Sequence, residues 1–181
     1  MQDLRNYAEI QSLMDGTVVT VRAVRPDDGE KIEKAFKILS ETTVYSRFFG
    51  HKEVVTEAEL TRFTGVDFER DVGLLVTIGF GADELVIAEA SCFAVASDVP
   101  GGSAELAFTV VQEYQGRGIA SGLMRRLIEI ARQKGFAQFV AEVLTGNLPM
   151  LNVFRHSGLP MALRQDGDVV HVTLSLRPAG D

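Results

Sequence analysis

The sequence predicts an α+β domain built on a mixed, mostly antiparallel sheet. Two hairpin signals carry the antiparallel part: Asp15-Gly16 near the start and Gly167 near the end, each between strand-like stretches. Only residues 103–144 have the strand–helix–strand spacing that yields parallel neighbours, so a regular doubly wound sheet is not expected. A length of 181 residues suits one domain with a sizeable core.

Taken in order, residues 1–9 are ambiguous, because Leu4, Tyr7, Ile10 and Met14 also fit a short amphipathic helix. Ile10 to Met14 is the expected partner of the strand Thr17 to Val24, across a two-residue turn in which Asp15 and Gly16 both take positive φ. Asp27 and Glu30 read as a capping box, opening a helix with Ile32, Phe36 and Leu39 on one face. Thr43 to Gly50 is a short aromatic segment. Thr56 and Glu59 form a second capping box, before Leu60 and Phe63. Val72 to Phe80 and Leu85 to Ala96 read as strands, and Pro100-Gly101-Gly102 turns into a third, Ser103 to Val111. From Ile119 a helix places Ile119, Leu123, Leu127, Ile130 and Ala131 on one face, and Gly135 ends it. A strand from Gln138 to Leu144 follows. Asn147 caps a helix to about Ser157, and Met161–Arg164 with Asp168–Leu176 make the closing hairpin.

Composition removes several functions. Hydrophobic residues are 46% and charged residues 24%, which argues against global disorder. Eighteen Lys and Arg against 25 Asp and Glu give a net charge of −7, opposite to the basic balance of a nucleic-acid-binding domain. The single cysteine, Cys92, sits in an apolar strand and reads as core; it allows neither an internal disulfide nor a Cys-rich zinc site. His51, His156 and His171 fall on a loop, a helix and a strand, so no metal is expected. The first residues lack the basic-then-apolar pattern of a signal peptide, and no apolar run reaches the ~18–20 residues of a membrane span. The expectation is a cytoplasmic protein with no membrane or nucleic-acid partner.

The chemistry lies in Phe108-Thr109-Val110-Val111-Gln112-Glu113-Tyr114-Gln115-Gly116-Arg117-Gly118-Ile119-Ala120. A strand delivers the chain to a loop with two glycines, and a helix begins at once. The first amides of a helix have no partner within it, and its dipole adds partial positive charge at that end. Glycines let a ligand approach the backbone closely. The arrangement is an anion cradle suited to a pyrophosphate. It is not a Walker A loop, which needs Gly-Lys-Ser/Thr. Nor is it a dinucleotide fingerprint, because the third glycine, Gly122, falls inside the helix.

Gln115-x-x-Gly118-x-Ala120 resembles the acetyl-CoA-binding motif of the GNAT acyltransferases, Gln/Arg-x-x-Gly-x-Gly/Ala. Asn147 to Leu159 looks like the family's final helix, and the resemblance covers roughly residues 17–176. Three stretches look more narrowly like the GNAT domain of bacterial Pat-type protein lysine acetyltransferases: Asp15 to Asp28, Leu39-Ser40-Glu41-Thr42-Thr43-Val44-Tyr45-Ser46-Arg47-Phe48-Phe49, and Ala104-Glu105-Leu106-Ala107-Phe108-Thr109-Val110. The resemblance implies residues 1–16 as an extension carrying the first hairpin strand, 17–177 as the GNAT domain and 178–181 as a tail. It implies a sheet flanked by helices on both faces, with acetyl-CoA in the splay between the family's fourth and fifth strands.

On that resemblance the backbone of Phe108, Thr109 and Val110 pairs with pantetheine. Amides of Gln115, Gly116, Arg117, Gly118, Ile119, Ala120 and Ser121 hold the pyrophosphate, and Asn147 joins the cofactor side. Arg117 adds a charge-assisted contact. Tyr45 and Arg47 border the acceptor. The amine attacks the thioester directly. It must be neutral to do so, and a lysine ammonium has a pKa of about 10.4, so a base is wanted. Glu105 matches the family's catalytic glutamate, with Glu89 as the runner-up. By alternation Glu105, Ala107 and Thr109 share one face of their strand unless a bulge changes the phase. Many GNAT enzymes use a tyrosine in the last helix as the acid for the leaving thiolate; here that position is Phe154. The thiolate then leaves unprotonated or another group serves.

The implied activity is acetyl transfer from acetyl-CoA to an amine, with a protein lysine as the preferred acceptor and no metal. A small-molecule amine acyltransferase and a non-catalytic acyl-CoA-binding regulatory module stay open, as does the oligomeric state. Pat-type domains often occur fused to a cyclic-nucleotide-binding or acyl-CoA synthetase-like region. The length leaves no room for either beside residues 17–177, so control by a separate partner, or none, is expected.

Overall fold

Residues 3–49 and 54–178 are described by the structure, a computed structural model. His51 lies outside the described residues. The strands are β1 (Ala8–Ser12), β2 (Val18–Ala23), β3 (Val72–Ile78), β4 (Leu85–Val95), β5 (Ser103–Val110), β6 (Gln138–Leu144), β7 (Met161–Asp166) and β8 (Val169–Ser175). The helices are α1 (Gly29–Lys37), α2 (Glu41–Phe48), α3 (Glu57–Thr64), α4 (Ile119–Gln133) and α5 (Leu148–Arg155). Strands hydrogen-bond in the order β1-β2-β3-β4-β5-β6-β8-β7. The sheet is mixed: β5 and β6 run parallel, while β1–β2, β2–β3, β6–β8 and β7–β8 are antiparallel. The chain forms two units, one made of the described residues up to Ser91 with Phe108–Ile119, the other of Cys92–Ala107 with the described residues from Ala120 on.

In the first unit, the opening hairpin pairs Ser12 with Val18 and Ala8 with Arg22. Its loop differs from the expected two-residue turn. Leu13 N donates to Thr17 O at 2.8 Å and Gly16 N to Leu13 O at 2.9 Å, and only Gly16 takes positive φ, at 84°. Met14-Asp15-Gly16 is therefore a three-residue connection, with glycine in the left-handed position such loops need. The ambiguous start resolves into a single 3-10 turn, Leu4–Asn6, ahead of β1. β3 is buried from Val72 to Thr77, as a central strand covered on both faces must be.

The capping box expected at Asp27 and Glu30 does not form. Asp28 stands at the start of α1 and makes no side-chain cap. Its carboxylate is taken instead by the Arg22 guanidinium, at 2.7 and 2.8 Å, and by the Arg25 amide at 2.7 Å. Arg22, on β2, also donates through Nε to Glu84 at 2.8 Å, and Lys31 of α1 reaches the other Glu84 oxygen at 2.6 Å. Arg22 and Asp28 are each 2% exposed. A guanidinium so buried requires this many acceptors, because an unpaired charge in the interior is strongly destabilising. The aromatic segment Thr43 to Gly50 is described as far as Phe49. Most of it is α2, capped where the Ser40 hydroxyl accepts from Thr43 N at 3.2 Å and ended by Phe49 at φ 57°. Only Val44 of this helix is buried, so hydrophobic periodicity could not announce it. At α3 the expected capping box is present: Thr56 N donates to Glu59 Oε2 at 2.8 Å, and Glu59 N to Thr56 Oγ1 at 3.2 Å.

In the second unit, α4 buries Leu123, Met124, Leu127, Ile128, Ile130 and Ala131 and exposes Arg125, Glu129 and Arg132. Burying each Leu or Ile in full contributes roughly 1.5–3 kcal/mol. Gly135, at φ 80°, ends the segment, and β6 pairs along its whole length with β8. Asn147 caps α5, its Oδ1 accepting from Met150 N at 3.3 Å, and Pro149 sits in the first turn where its missing N–H does no harm.

The charge network makes stability depend on acid. Burial by itself raises the Glu84 carboxyl, but hydrogen bonds from Arg22 and Lys31 outweigh it and lower the pKa from 4.5 to about 2. A folded-state value below the unfolded one stabilises the protein above the unfolded pKa, and this is lost as pH falls. Chemical denaturation at a series of pH values is expected to show stability falling from about pH 4.5 towards pH 2. In Glu84→Gln that part of the slope disappears, and stability at neutral pH is lower.

Candidate functional site

The site begins where β5 ends. Gln112–Tyr114 forms one 3-10 turn, and Gln115-Gly116-Arg117-Gly118 then leads into α4. Gly116 has φ 74° and Gly118 φ 85°, so the loop holds a shape that L side chains resist. A Cβ added at either glycine meets no atom within 4 Å. Both positions open onto free space, where a ligand can approach the backbone. The first-turn amides of α4 follow directly, and those amides lack helical partners. No acidic residue lies between Gln115 and Ser121, and between Gln115 and Gly135 five basic residues stand against Glu129 alone. Backbone donors, a helix N-terminus and a loop segment without acidic residues of its own fit a pyrophosphate.

Side chains from distant parts of the first unit fix the loop. Gln115 Nε2 donates to the Val110 carbonyl at 2.9 Å and to Thr43 Oγ1 at 3.2 Å. Gln112 Oε1 accepts from Ser40 Oγ at 3.0 Å and from Thr43 Oγ1 at 3.5 Å. The start of α2 is thereby tied to the end of β5. Ser40, Thr43 and Gln112 were missed in the sequence; the only local signal was Ser40 preceding Glu41, a helix-start pattern. Arg117 has three partners: Nη1 pairs with Asp15 Oδ2 at 2.5 Å, Nη2 donates to the Glu113 carbonyl at 2.7 Å, and Cζ lies 5.0 Å from the centroid of the Tyr114 ring. The backbone amide and hydroxyl of Thr17, and then Arg117, hold the Asp15 carboxyl below its usual value.

The structure brings Glu89, Arg47 and Thr109 together. Glu89 Oε1 accepts from Thr109 Oγ1 at 3.0 Å and from Arg47 Nε at 3.3 Å. Arg47 also lies over the Phe48 ring. One oxygen of Glu89 is thus committed to two donors. Tyr45, on the same helix, is exposed.

Glu105 is exposed on β5. Burial along that strand breaks its alternation: Leu106 and Thr109, three residues apart, are 4% and 9% exposed, while Glu105 faces solvent. The parallel register of β5 with β6 covers Ser103–Glu105 against Gln138–Val140. β5 continues to Val110 and β6 to Leu144 outside that register.

In the second unit, Phe154 is 1% exposed and Asn147 is occupied as a helix cap. His156 Nδ1 lies 2.8 Å from the Asn152 carbonyl, His171 Nδ1 lies 3.4 Å from Glu142, and Cys92 is buried. Among the described residues no group of three or more His, Cys, Asp or Glu side chains is placed to hold a metal ion, and no helix is long and apolar enough to cross a membrane.

Comparison with known proteins agrees with this geometry. Residues 42–159 match the model of the acetyltransferase (GNAT) family. The chain is 34% identical over 158 residues to the acetyltransferase Pat of Mycolicibacterium smegmatis; the match covers 87% of this chain but only 46% of that protein. It is similar to the crystal structure of the GNAT domain of S. lividans PAT, with 31% identity and a TM-score of 0.83, covering 93% of this chain and 96% of that one. The structure of yncA from Salmonella typhimurium with its cofactor acetyl-CoA shares the fold, with 19% identity and a TM-score of 0.68 over 90% of this chain and 96% of that one.

Proposed function

The chain belongs to the GNAT acetyltransferase family, and from that premise we propose that it moves an acetyl group from acetyl-CoA directly to the side-chain amine of a protein lysine. The observation that carries the reading is the loop with Gly116 at φ 74° and Gly118 at φ 85°, opening onto free space at the start of α4. The lysine acceptor is supported by the likeness to Pat of Mycolicibacterium smegmatis and to the GNAT domain of S. lividans PAT.

In this reading acetyl-CoA supplies an activated thioester. The backbone amides of Gln115, Gly116, Arg117, Gly118, Ile119, Ala120 and Ser121 hold its pyrophosphate. Phe108, Thr109 and Val110 offer their backbone to the pantetheine arm, and Asn147 remains a cofactor-side residue. The limited register between β5 and β6, the counterparts of the family's fourth and fifth strands, supports this placement because β5 leaves it before Val110. Glu105 is the general base. Its exposure lets it take a proton from the ammonium directly or through a water. Glu89 is the weaker candidate, because Arg47 and Thr109 already occupy one of its oxygens. Arg47 and Tyr45 remain acceptor-side residues on α2. The Arg47–Glu89 pair would present a fixed rather than a mobile guanidinium.

Two variants test the proposal. Glu105→Gln is expected to keep acetyl-CoA affinity in calorimetry and to lower transfer to lysine peptides by ~10²-fold or more; an unchanged rate removes Glu105 as the base. Gly118→Val forces a β-branched residue to φ near 85° and places its side chain where the ligand would lie. It is expected to abolish acetyl-CoA binding, and retained affinity refutes the cradle. Mapping newly acetylated lysines after incubation with a proteome extract tests the acceptor. Tight binding without transfer to any protein or small amine would identify a non-catalytic binding module instead.

A further inference from the structure

A loop that presents a fixed row of amides needs rigidity, and glycine works against it. Gly116 and Gly118 each lose more conformational freedom on ordering than any other residue would. They flank one side chain, Arg117, and that side chain is held from three directions. Its contacts to the Glu113 carbonyl and the Tyr114 ring are local. The third reaches 102 positions back along the chain, to Asp15.

Asp15 is itself well fixed. Its Oδ1 accepts from Thr17 N at 3.0 Å, inside the three-residue loop closed by Leu13 and Thr17. That loop joins β1 and β2, which are paired over five positions. A rigid hairpin therefore grips the middle of the glycine loop through one ion pair. Asp15 also lies ahead of residue 42, where the match to the family model begins. The partners are 33% and 41% exposed, and a pair so open to water adds little to overall stability. Its effect is local, on the order of the loop.

We propose that Asp15 is a positioning residue for the phosphate-binding loop: through Arg117 it holds Gly116–Gly118 in the binding conformation before acyl-CoA arrives. Ordering the loop in advance removes an entropic cost from binding. The idea rests on the reading of this loop as the acyl-CoA site. It makes Arg117 a tether of the loop, with only its backbone amide turned to the ligand.

The test compares wild type with Asp15→Asn. Asparagine suits the same turn and keeps the Thr17 contact, so the variant removes the charge alone. Two quantities are measured: amide hydrogen exchange of Gly116–Gly118 in the ligand-free protein, and the Kd for CoA by calorimetry at low and high salt. Asp15→Asn is expected to speed exchange at these amides and to raise Kd about threefold to tenfold, with KM for acetyl-CoA rising in parallel and kcat held. The difference from wild type shrinks in high salt, because the pair is exposed.

Unchanged exchange in Asp15→Asn overturns the proposal, whatever CoA does. Tighter CoA binding overturns it too, and would make Asp15 a competitor of the phosphates for Arg117. If exchange responds while the wild type shows no affinity for CoA, the tether stands and the acyl-CoA reading of the loop fails.

Discussion

The passage from β5 into α4 is the constraint on which the rest of this structure depends. Two positive-φ residues within three positions are required to turn the chain out of a strand and aim a helix N-terminus at the same loop. Only glycine meets that requirement without strain, and glycine brings no side-chain contacts to hold the result. The surrounding residues supply what is missing. Gln115 binds back to Val110 and across to Thr43, and Arg117 binds to Asp15. The cradle is backbone in its chemistry and side chain in its mechanical support.

The same division appears around β2. Arg22 gathers Asp28, Glu84 and, through Glu84, Lys31 into one buried network. Burying two ions costs much of what their attraction returns, but removing one partner leaves a charge without compensation, at roughly 3–5 kcal/mol. The network holds the connection from β2 to α1 and the start of β4 in one arrangement. Both α2 and the Asp15 hairpin belong to that first unit, so residues that tie the cradle rest on a framework that tolerates little variation.

Much of this was legible in the sequence, because the features concerned are local. The capping box at Thr56 and Glu59, the Asn147 cap, the apolar face of α4 and the terminating Gly135 depend on residues three or four positions apart. The loop glycines are likewise read within a span of four residues. What escaped depends on partners far away. Asp28 sits at a helix start and looks like part of a cap, but Arg22 takes its carboxylate. Helix α2 buries only Val44, so its periodicity is faint, and it is tied to Gln115 across 72 positions. Thr109 donates to Glu89 across 20 positions, a pairing with no signature in residue type. The glycines that shape the loop were visible; the side chains that hold it were not.

The loss of the usual tyrosine from the last helix is chemically tolerable on the proposed reading. Phe154 is 1% exposed, so its ring is part of the core and supplies packing where relatives would place a proton donor. The two proton transfers of the reaction are not equally demanding. A lysine ammonium, with a pKa of about 10.4, is neutral in only a few molecules per ten thousand at pH 7, so the attack calls for a group that accepts the amine's proton. A departing thiolate has a conjugate acid of pKa about 8.5, nearly two units below the ammonium. It is a tolerable leaving group as the anion, and water can protonate it afterwards. On the proposed reading, Glu105 serves the step with the larger proton demand, and the departing thiolate needs no donor at the position of Phe154.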